Sequence, residues 1–265
     1  MNRILAVLLA LALTGGCSLL PEQIDETKGW SAAKMYATAK ENLNEGDYTQ
    51  AIQFFEKLEA RFPYGPYAQQ AQLEVAYAYY KDNEPISAIA ACDRFIKLHP
   101  NHPNVDYAYY LKGLANFIED NTLLAGLADQ DMSQRDPKST REAFQAFKDL
   151  TTLFPNSKYA PDALARMKYL VNALASHEVH VARYYMKRGA YVAAANRAKH
   201  VLQNYQQAPA LEEALAIMVT SYDKLGMADL RDDARRVLAQ NFPKSAWLNG
   251  AVVREDTGGW WKFWR

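Results

Sequence analysis

The sequence has no excess of charge of either sign, since its 265 residues carry 30 Lys plus Arg and 30 Asp plus Glu. Nucleic-acid binding generally needs a clustered basic surface, so this balance argues against that class of function. The chain has only 12 glycines and 11 prolines, and its runs of valine and isoleucine are few. It therefore has little material for β-turns and strands, and we expect an all-α fold.

The sequence also lacks the short motifs of common enzymes. It has no G-x-S-x-G, no phosphate-binding loop and no glycine-rich dinucleotide fingerprint. His177 and His180 are three residues apart, one short of the H-E-x-x-H zinc motif, and no third ligand lies nearby in sequence. We expect a surface helix there, no metal site, and no enzymatic activity.

A short apolar run opens the chain. Arg3 is the only charge before the apolar residues 4–13, and small residues follow at 14–16. A positive start, a short apolar region and small residues before a cleavage point predict a secretory signal peptide. A membrane-spanning helix would take about 20 apolar residues, so this run is too short to be one.

Cys17 follows the small residues at the position of the lipobox cysteine of bacterial lipoproteins. The resemblance implies that Cys17 carries an N-acyl diglyceride and becomes the mature N-terminus. Ser18, where aspartate would retain such a protein in the inner membrane, implies the outer membrane. The alternative is an ordinary signal peptide that contains a cysteine. Cys92 then has no partner, and we expect no disulfide and no other cofactor.

A repeated pattern fills the body of the chain. Five segments end alike, four of them at a proline preceded by Phe or His, and two carry the complete spacing A-x3-F-x7-P: Ala51-Phe55-Pro63 and Ala143-Phe147-Pro155. This pattern resembles the tetratricopeptide repeat, a helix–turn–helix of 34 residues. The resemblance predicts an all-α, right-handed solenoid of five such repeats, each a pair of antiparallel helices. Gly46 and Gly189 are expected in the turns between the two helices of their repeats.

Two intervals between repeat ends are longer than one repeat, at 55 and 51 residues. The composition of the first predicts a loop insertion in repeat three. The second holds residues 161–174, whose apolar spacing predicts a helix that continues into the first helix of repeat four.

These features predict six segments along the chain. They are a cleaved signal peptide at 1–16, a lipidated linker at 17–30, repeats one and two with the start of repeat three at 31–118, the loop insertion at 119–140, repeats three to five at 141–248, and a flexible aromatic tail at 249–265. The tail ends in Trp260-Trp261-Lys262-Phe263-Trp264. Three roles stay open for it: contact with a membrane interface, docking to a partner, or folding back on the last repeat.

Several phrases inside the repeats are specific to one family. They are RFPYGPY at 61–67, AYAYYK at 76–81, DRFI at 93–96, PNHPN at 100–104 and RGAYVA at 188–193. Together with the lipobox they resemble the BamD family, the repeat lipoproteins of the outer-membrane β-barrel assembly (BAM) complex. The resemblance implies a non-enzymatic scaffold, anchored in the outer membrane and facing the periplasm, that helps insert β-barrel proteins. Its implied partners are the POTRA region of BamA, other lipoproteins such as BamC, and unfolded outer-membrane proteins.

The same resemblance implies where the partners bind. The C-terminal repeats would hold the POTRA region, and the candidates there are Arg188, Asn196 and Arg197. The N-terminal repeats would receive the targeting strand of unfolded outer-membrane proteins, and the aromatic candidates are Tyr36, Phe62, Tyr67, Tyr77 and Tyr80. The alternatives are a solvated arginine on a helix surface and tyrosines that belong to the repeat core. The alternative function is a periplasmic repeat adaptor that coordinates cell division or peptidoglycan synthesis.

Overall fold

The computed structural model of the protein describes residue 25, residues 27–117 and residues 137–249. Within these ranges every regular element is helical. The α-helices are α1 (Ala32–Glu45), α2 (Tyr48–Arg61), α3 (Pro66–Lys81), α4 (Pro85–Leu98), α5 (Val105–Asn116), α6 (Pro137–Leu153), α7 (Ala160–Lys187), α8 (Tyr191–Asn204), α9 (Leu211–Lys224) and α10 (Ala228–Asn241), and a short 3₁₀ helix follows at Ala246–Asn249. The predicted all-α fold is confirmed.

Each helix packs mainly against the helices before and after it in the chain, so that α1–α2, α3–α4, α5–α6, α7–α8 and α9–α10 form five antiparallel pairs. The first helices of neighbouring pairs also touch, as α1 does with α3, α3 with α5 and α7 with α9. Each pair of the described helices therefore packs mainly against its sequence neighbours, which is the architecture of a helical-repeat protein. Among the described helices, none combines the length and the apolar character that a membrane crossing demands.

Local signals in the sequence set the helix ends. The Ser31 hydroxyl accepts from the Lys34 backbone N–H at 3.2 Å, and an Asp47 carboxylate oxygen accepts from the Gln50 N–H at 3.0 Å, so each caps the helix that it precedes. Gly46 ends α1 with φ = 86°, a left-handed conformation that favours glycine. Gly189 has φ = 70° between α7 and α8. Both predicted turns are confirmed.

The repeated alanine and phenylalanine positions form the core between helices. Ala51, Phe55, Ala143 and Phe147 are each at most 1% exposed. A small residue lets two helices approach, and the ring fills the groove beside it. The spacing therefore predicts the packing as well as the helices.

The structure moves one predicted boundary. Helix α6 begins at Pro137, so residues 137–140 are helical and Thr140 is buried, whereas the predicted loop ended at 140. Proline is favoured in the first turn of a helix, where its missing N–H has no intrahelical partner to lose. Residues 119–136 of the predicted loop lie outside the described residues. The helix predicted at 161–174 is confirmed as part of the 28-residue α7.

The chain enters the first repeat through a segment that Arg61, at the end of α2, holds in place. Its guanidinium donates to the Thr27 carbonyl and pairs with the Asp25 carboxylate. The Thr27 backbone N–H and hydroxyl donate to the other Asp25 oxygen at 3.0 and 2.6 Å. These Thr27 hydrogen bonds and then the nearby Arg61 charge hold the pKa of Asp25 below its usual range.

Replacing Arg61 with methionine is expected to release residues 27–30 from the first repeat. The Thr27 carbonyl would lose its Arg61 donor and the Asp25 carboxylate would lose its cation, keeping only the two hydrogen bonds from Thr27, while the core of α1 and α2 would stay packed. Hydrogen exchange should therefore become faster at residues 27–30 and stay unchanged in α3 and α4. Arg94→Met, which removes a guanidinium from another exposed ion pair, is the control. Unchanged protection of residues 27–30 in Arg61→Met would contradict the role given to Arg61.

Candidate partner-binding surfaces

Two of the predicted aromatic residues meet where α1 and α3 touch. The Tyr36 and Tyr67 ring centroids are 5.6 Å apart, and Tyr36 also packs against Phe55 at 5.9 Å. Lys40 Nζ donates to Glu74 Oε1 at 2.9 Å, which joins the same two helices. We call Tyr36, Lys40, Tyr67 and Glu74 the N-terminal aromatic site. Its rings offer stacking surface, and its polar groups offer hydrogen bonds.

The Tyr36 phenol stays protonated at neutral pH. Partial burial, and then the charge and hydrogen bond of Glu74, raise the pKa of Tyr36 to about 12. Its hydroxyl therefore remains a donor next to the Glu74 carboxylate. Tyr67 is 39% exposed and presents the accessible ring of the pair.

The other three aromatic candidates belong to α3 and the end of α2. Tyr80 follows Tyr67 by 13 residues in α3, which places it about 20 Å further along the axis and about 140° around it. Tyr77 is half-buried in the core of the first repeats, and its neighbour Tyr107 has a pKa raised by burial and then by Tyr77. Phe62 ends α2 and packs on the same core. Tyr67 and Tyr80 are therefore far apart on α3, whereas Phe62 and Tyr77 pack on the same core as Tyr36. That all five bind one strand stays a prediction.

A second aromatic site, which sequence reasoning missed, lies between α5 and the start of α7. Tyr159 stacks on Tyr110 with ring centroids 4.8 Å apart and contacts Tyr107 at 5.3 Å. The Tyr110 hydroxyl and Arg166 Nε both donate to Asp162 Oδ2, each at 2.7 Å. We call these five residues the central aromatic site. Like the N-terminal site, it combines tyrosines with a carboxylate and a cation between two first helices.

The hydrogen bonds at Asp162 decide its charge. Partial burial acts to raise the pKa of Asp162, but the hydrogen bonds from Tyr110 and Arg166 outweigh it and hold that pKa below the usual range. The carboxylate is ionised at neutral pH and fixes both donors. The tyrosine clusters in the sequence indicated Tyr107 and Tyr110, but no local pattern indicated Tyr159 or Asp162, which come from the far side of the insertion.

Arg197, on α8, is anchored by a buried carboxylate on α7. Its Nη1 donates to Glu178 Oε2 at 3.1 Å, and the exposed fractions of the two side chains are 47% for Arg197 and 5% for Glu178. The prediction of a helix at 177–180 is confirmed, but the prediction that it lies at the surface is wrong for Glu178 and Val179, which are buried. The physical reason is that α8 packs over this face of α7.

Arg188 and Asn196 lie close to Arg197 in the chain and are both exposed. Arg188 ends α7, and its guanidinium lies 5.4 Å from the centroid of the exposed Tyr184 ring. Asn196 precedes Arg197 on α8. The three candidates thus run from the α7–α8 turn about 10 Å along α8.

Exposed apolar side chains occur in the same repeat as these arginines and in the next one. They are Tyr184, Val192, Met227 and Leu230, each about half exposed. Because successive helices are antiparallel, the turn between α7 and α8 and the turn between α9 and α10 lie at the same end of the helices. Exposed apolar groups beside arginines are typical of protein-binding surfaces.

The described residues hold no group of three or more side chains that could bind a metal ion. Cys92 is buried, and burial followed by the charge of Asp93 raises its pKa to about 12. Because the thiolate is the reactive form, this thiol is inert at neutral pH.

The fold and these surfaces define a class of protein: a helical-repeat scaffold, a class whose members present an extended surface suited to proteins or peptides. The comparisons with known proteins give the family. The family model described as "YfiO: Outer membrane lipoprotein" matches residues 29–248, and the chain belongs to this family. It is an outer membrane lipoprotein, as predicted.

Close relatives carry the name outer membrane protein assembly factor BamD. The chain is 52% identical over 263 residues to the one from Neisseria meningitidis serogroup A, with 98% of each chain covered. It is 53% identical over 265 residues to the one from Neisseria gonorrhoeae, again with 98% of each covered. The relative from Xylella fastidiosa strain Temecula1 is 39% identical over 249 residues, which cover 93% of this chain and 84% of that one. The predicted family of non-enzymatic outer membrane protein assembly factors is confirmed. Cys17, the predicted lipid attachment site, lies outside the described residues.

Proposed function

We propose that this assembly factor is a scaffold with two separate binding ends. The C-terminal repeats bind the POTRA region of BamA through Arg188, Asn196 and Arg197. The N-terminal repeats bind the targeting strand of unfolded outer-membrane proteins, and other lipoproteins such as BamC dock along the array. The observation that carries this proposal is the separation of the surfaces: the N-terminal aromatic site lies in repeats one and two, whereas Arg197 lies in repeat four.

The N-terminal aromatic site suits a strand that ends in an aromatic residue and a carboxylate. The exposed Tyr67 ring offers a stacking partner, and its contact with Tyr36 keeps it in place. An ammonium group has three donors, so Lys40 can bind a terminal carboxylate while it keeps its hydrogen bond to Glu74. A site of this kind selects an end of a chain and not a particular sequence.

Changing Tyr36 and Tyr67 together to alanine is expected to weaken binding of such a strand about tenfold, because the stacking surface is lost. The measurement is fluorescence anisotropy with a labelled peptide copied from the last strand of an outer-membrane protein. Tyr64→Ala is the matched control, because Tyr64 is 91% exposed in the turn before α3 and outside the site. Equal affinity of the folded double variant and the unchanged protein would contradict the proposal for this end.

At the other end, Glu178 positions Arg197 for a partner. The buried carboxylate holds one Nη of the guanidinium, and the exposed side of the guanidinium keeps donors for an incoming carboxylate. Because Asn196 is exposed and adjacent, a photocrosslinking residue at 196 probes this surface without removing Arg197. In living cells we expect capture of BamA through its POTRA region. Efficient capture of division or peptidoglycan proteins alone would move the function to the adaptor alternative.

The anchored N-terminus places the first repeat near the membrane. We propose that the lipid is attached at Cys17, eight residues before Asp25. At about 3.3–3.6 Å per residue, that linker spans at most about 28 Å. Because Arg61 fixes Asp25 and Thr27 to α2, the N-terminal aromatic site is held close to the surface where β-barrel proteins insert.

A further inference from the structure

The last repeat has an open groove on its outer face. The groove has a volume of about 140 Å³, and α9, α10 and the 3₁₀ helix enclose it. Its walls include Val219 and Thr220 of α9, Arg235 and Leu238 of α10, and Trp247 and Leu248. The described part of the chain ends at Asn249, directly after two residues of the wall.

The repeat pattern explains why this groove exists. The second helix of each repeat has one position for a small residue and, four residues later, one for a bulky residue. Repeat one has Ala51 and Phe55 there, and repeat three has Ala143 and Phe147. The last repeat has Arg231 and Arg235 at these two positions. Those four residues are buried, whereas Arg235 is exposed and α10 buries only Ala234 and Leu238. A following repeat would cover the side of α10 that faces away from α9, and within the described residues the only element after α10 that packs against it is the four-residue 3₁₀ helix. An array of repeats needs a cap at such an end.

We propose that the C-terminal segment 250–265 of this chain is that cap, and that it binds in the groove through its tryptophans. Sixteen residues follow the groove in sequence, and they include Trp260, Trp261 and Trp264. The 11 residue-to-residue steps from Asn249 to Trp260 reach up to about 36 Å, more than the short return to the groove requires. The occupant is therefore a covalently tethered aromatic segment, and tethering makes its binding effective without high affinity.

Size and charge favour this occupant. A cavity of about 140 Å³ is smaller than the roughly 300–1,000 Å³ of small-molecule sites and suits one aromatic side chain. The groove is lined by the apolar Val219, Leu238 and Trp247 and by the exposed, cationic Arg235. An indole ring can pack on the apolar wall and lie against the guanidinium at the same time, which is a favourable cation–π arrangement.

The test is photocrosslinking within the full-length lipoprotein. A benzoylphenylalanine replaces Trp261, the purified protein is irradiated in detergent, and the product is mapped by mass spectrometry. We expect a crosslink within one chain, to residues 216–220, 235–238 or 247–248. Thr220→Phe, which fills the groove from its wall, should lower the yield by about an order of magnitude. Lys224→Phe, at the exposed end of α9, should leave it unchanged.

The remaining outcomes would overturn the proposal. Crosslinks between two chains would make the segment a contact between copies, and crosslinks to detergent alone would make it a membrane contact. A crosslink within the chain that falls outside the groove, or no crosslink at all, would show that the segment does not bind in the groove. The mapping on the parent protein is informative even if Thr220→Phe fails to fold.

Discussion

Replacing Gly113 with valine is expected to destabilise repeat three by about 3 kcal/mol or more. Gly113 lies buried in α5, and a Cβ added there would stand 2.4 to 2.8 Å from three carbon atoms of the Phe147 ring on α6. Phe147 is fully buried, so its ring cannot turn into solvent. Either α5 and α6 must separate or the ring must leave its position, and both lose packing along the whole pair. Thermal or urea unfolding followed by circular dichroism measures the loss.

A smaller side chain at position 147 provides the control for the Gly113→Val prediction. Phe147→Leu alone removes part of the core and costs about 1–2 kcal/mol. In the double variant with Gly113→Val the smaller side chain leaves room for the new methyl groups, so the loss should be smaller than the sum of the two single losses. Strict additivity of the two changes would show that the contact does not limit the size of residue 113.

Replacing Arg197 with methionine is expected to cost about 2–3 kcal/mol of unfolding free energy. The loss comes from Glu178, whose side chain is 5% exposed and would lose the Arg197 guanidinium that it accepts from. A buried ion that loses its partner is destabilising because neither water nor a counter-charge replaces the lost interaction. We place the cost below that of a fully buried pair because Arg197 itself is 47% exposed.

Two variants separate this effect from the loss of an ordinary surface charge. Arg236→Met breaks a pair with Asp233 in which both side chains are at least 60% exposed, and it should change stability by no more than about 1 kcal/mol. The double variant Glu178→Gln with Arg197→Met replaces the buried carboxylate with a neutral amide and should recover most of the lost free energy of unfolding. If Arg197→Met and Arg236→Met lowered the free energy of unfolding by the same small amount, the Arg197 guanidinium would not stabilise the buried Glu178 carboxylate.

The same pair affects how loss of function at Arg197 should be interpreted. A variant at position 197 removes a candidate partner contact and also leaves the buried Glu178 carboxylate without its partner. Weaker partner binding alone would therefore not distinguish a lost contact from a destabilised fold. Asn196, which is exposed on the same turn of α8, provides a position where the surface changes and the buried pair does not. A binding defect in Arg197→Met that persists in the Glu178→Gln background reports the contact itself.

The helices and their order follow from the sequence alone, because the signals that set them are local. Ser31 and Asp47 cap helices within three residues of themselves, and Gly46 ends a helix through its own backbone conformation. The Ala51-Phe55 spacing likewise lies within one helix, so the sequence determines which face of that helix is buried. The family-specific phrases are also contiguous, which is why the family and the outer-membrane location could be predicted.

Only the tertiary structure decided which side chains share a site. Tyr36 and Tyr67 are 31 residues apart and meet because α1 packs against α3. Tyr110 and Asp162 are 52 residues apart and meet because the first turn of α7 comes beside α5. Tyr80 belongs to a tyrosine cluster in sequence and yet lies far from Tyr67, because a helix turns by about 100° per residue. Glu178 belongs to a charged, histidine-containing stretch that predicts an exposed surface, but α8 covers it and makes Arg197 its partner. Local sequence determines each helix, and the stacking of helices, which brings together residues distant in sequence, determines the surfaces that the protein presents.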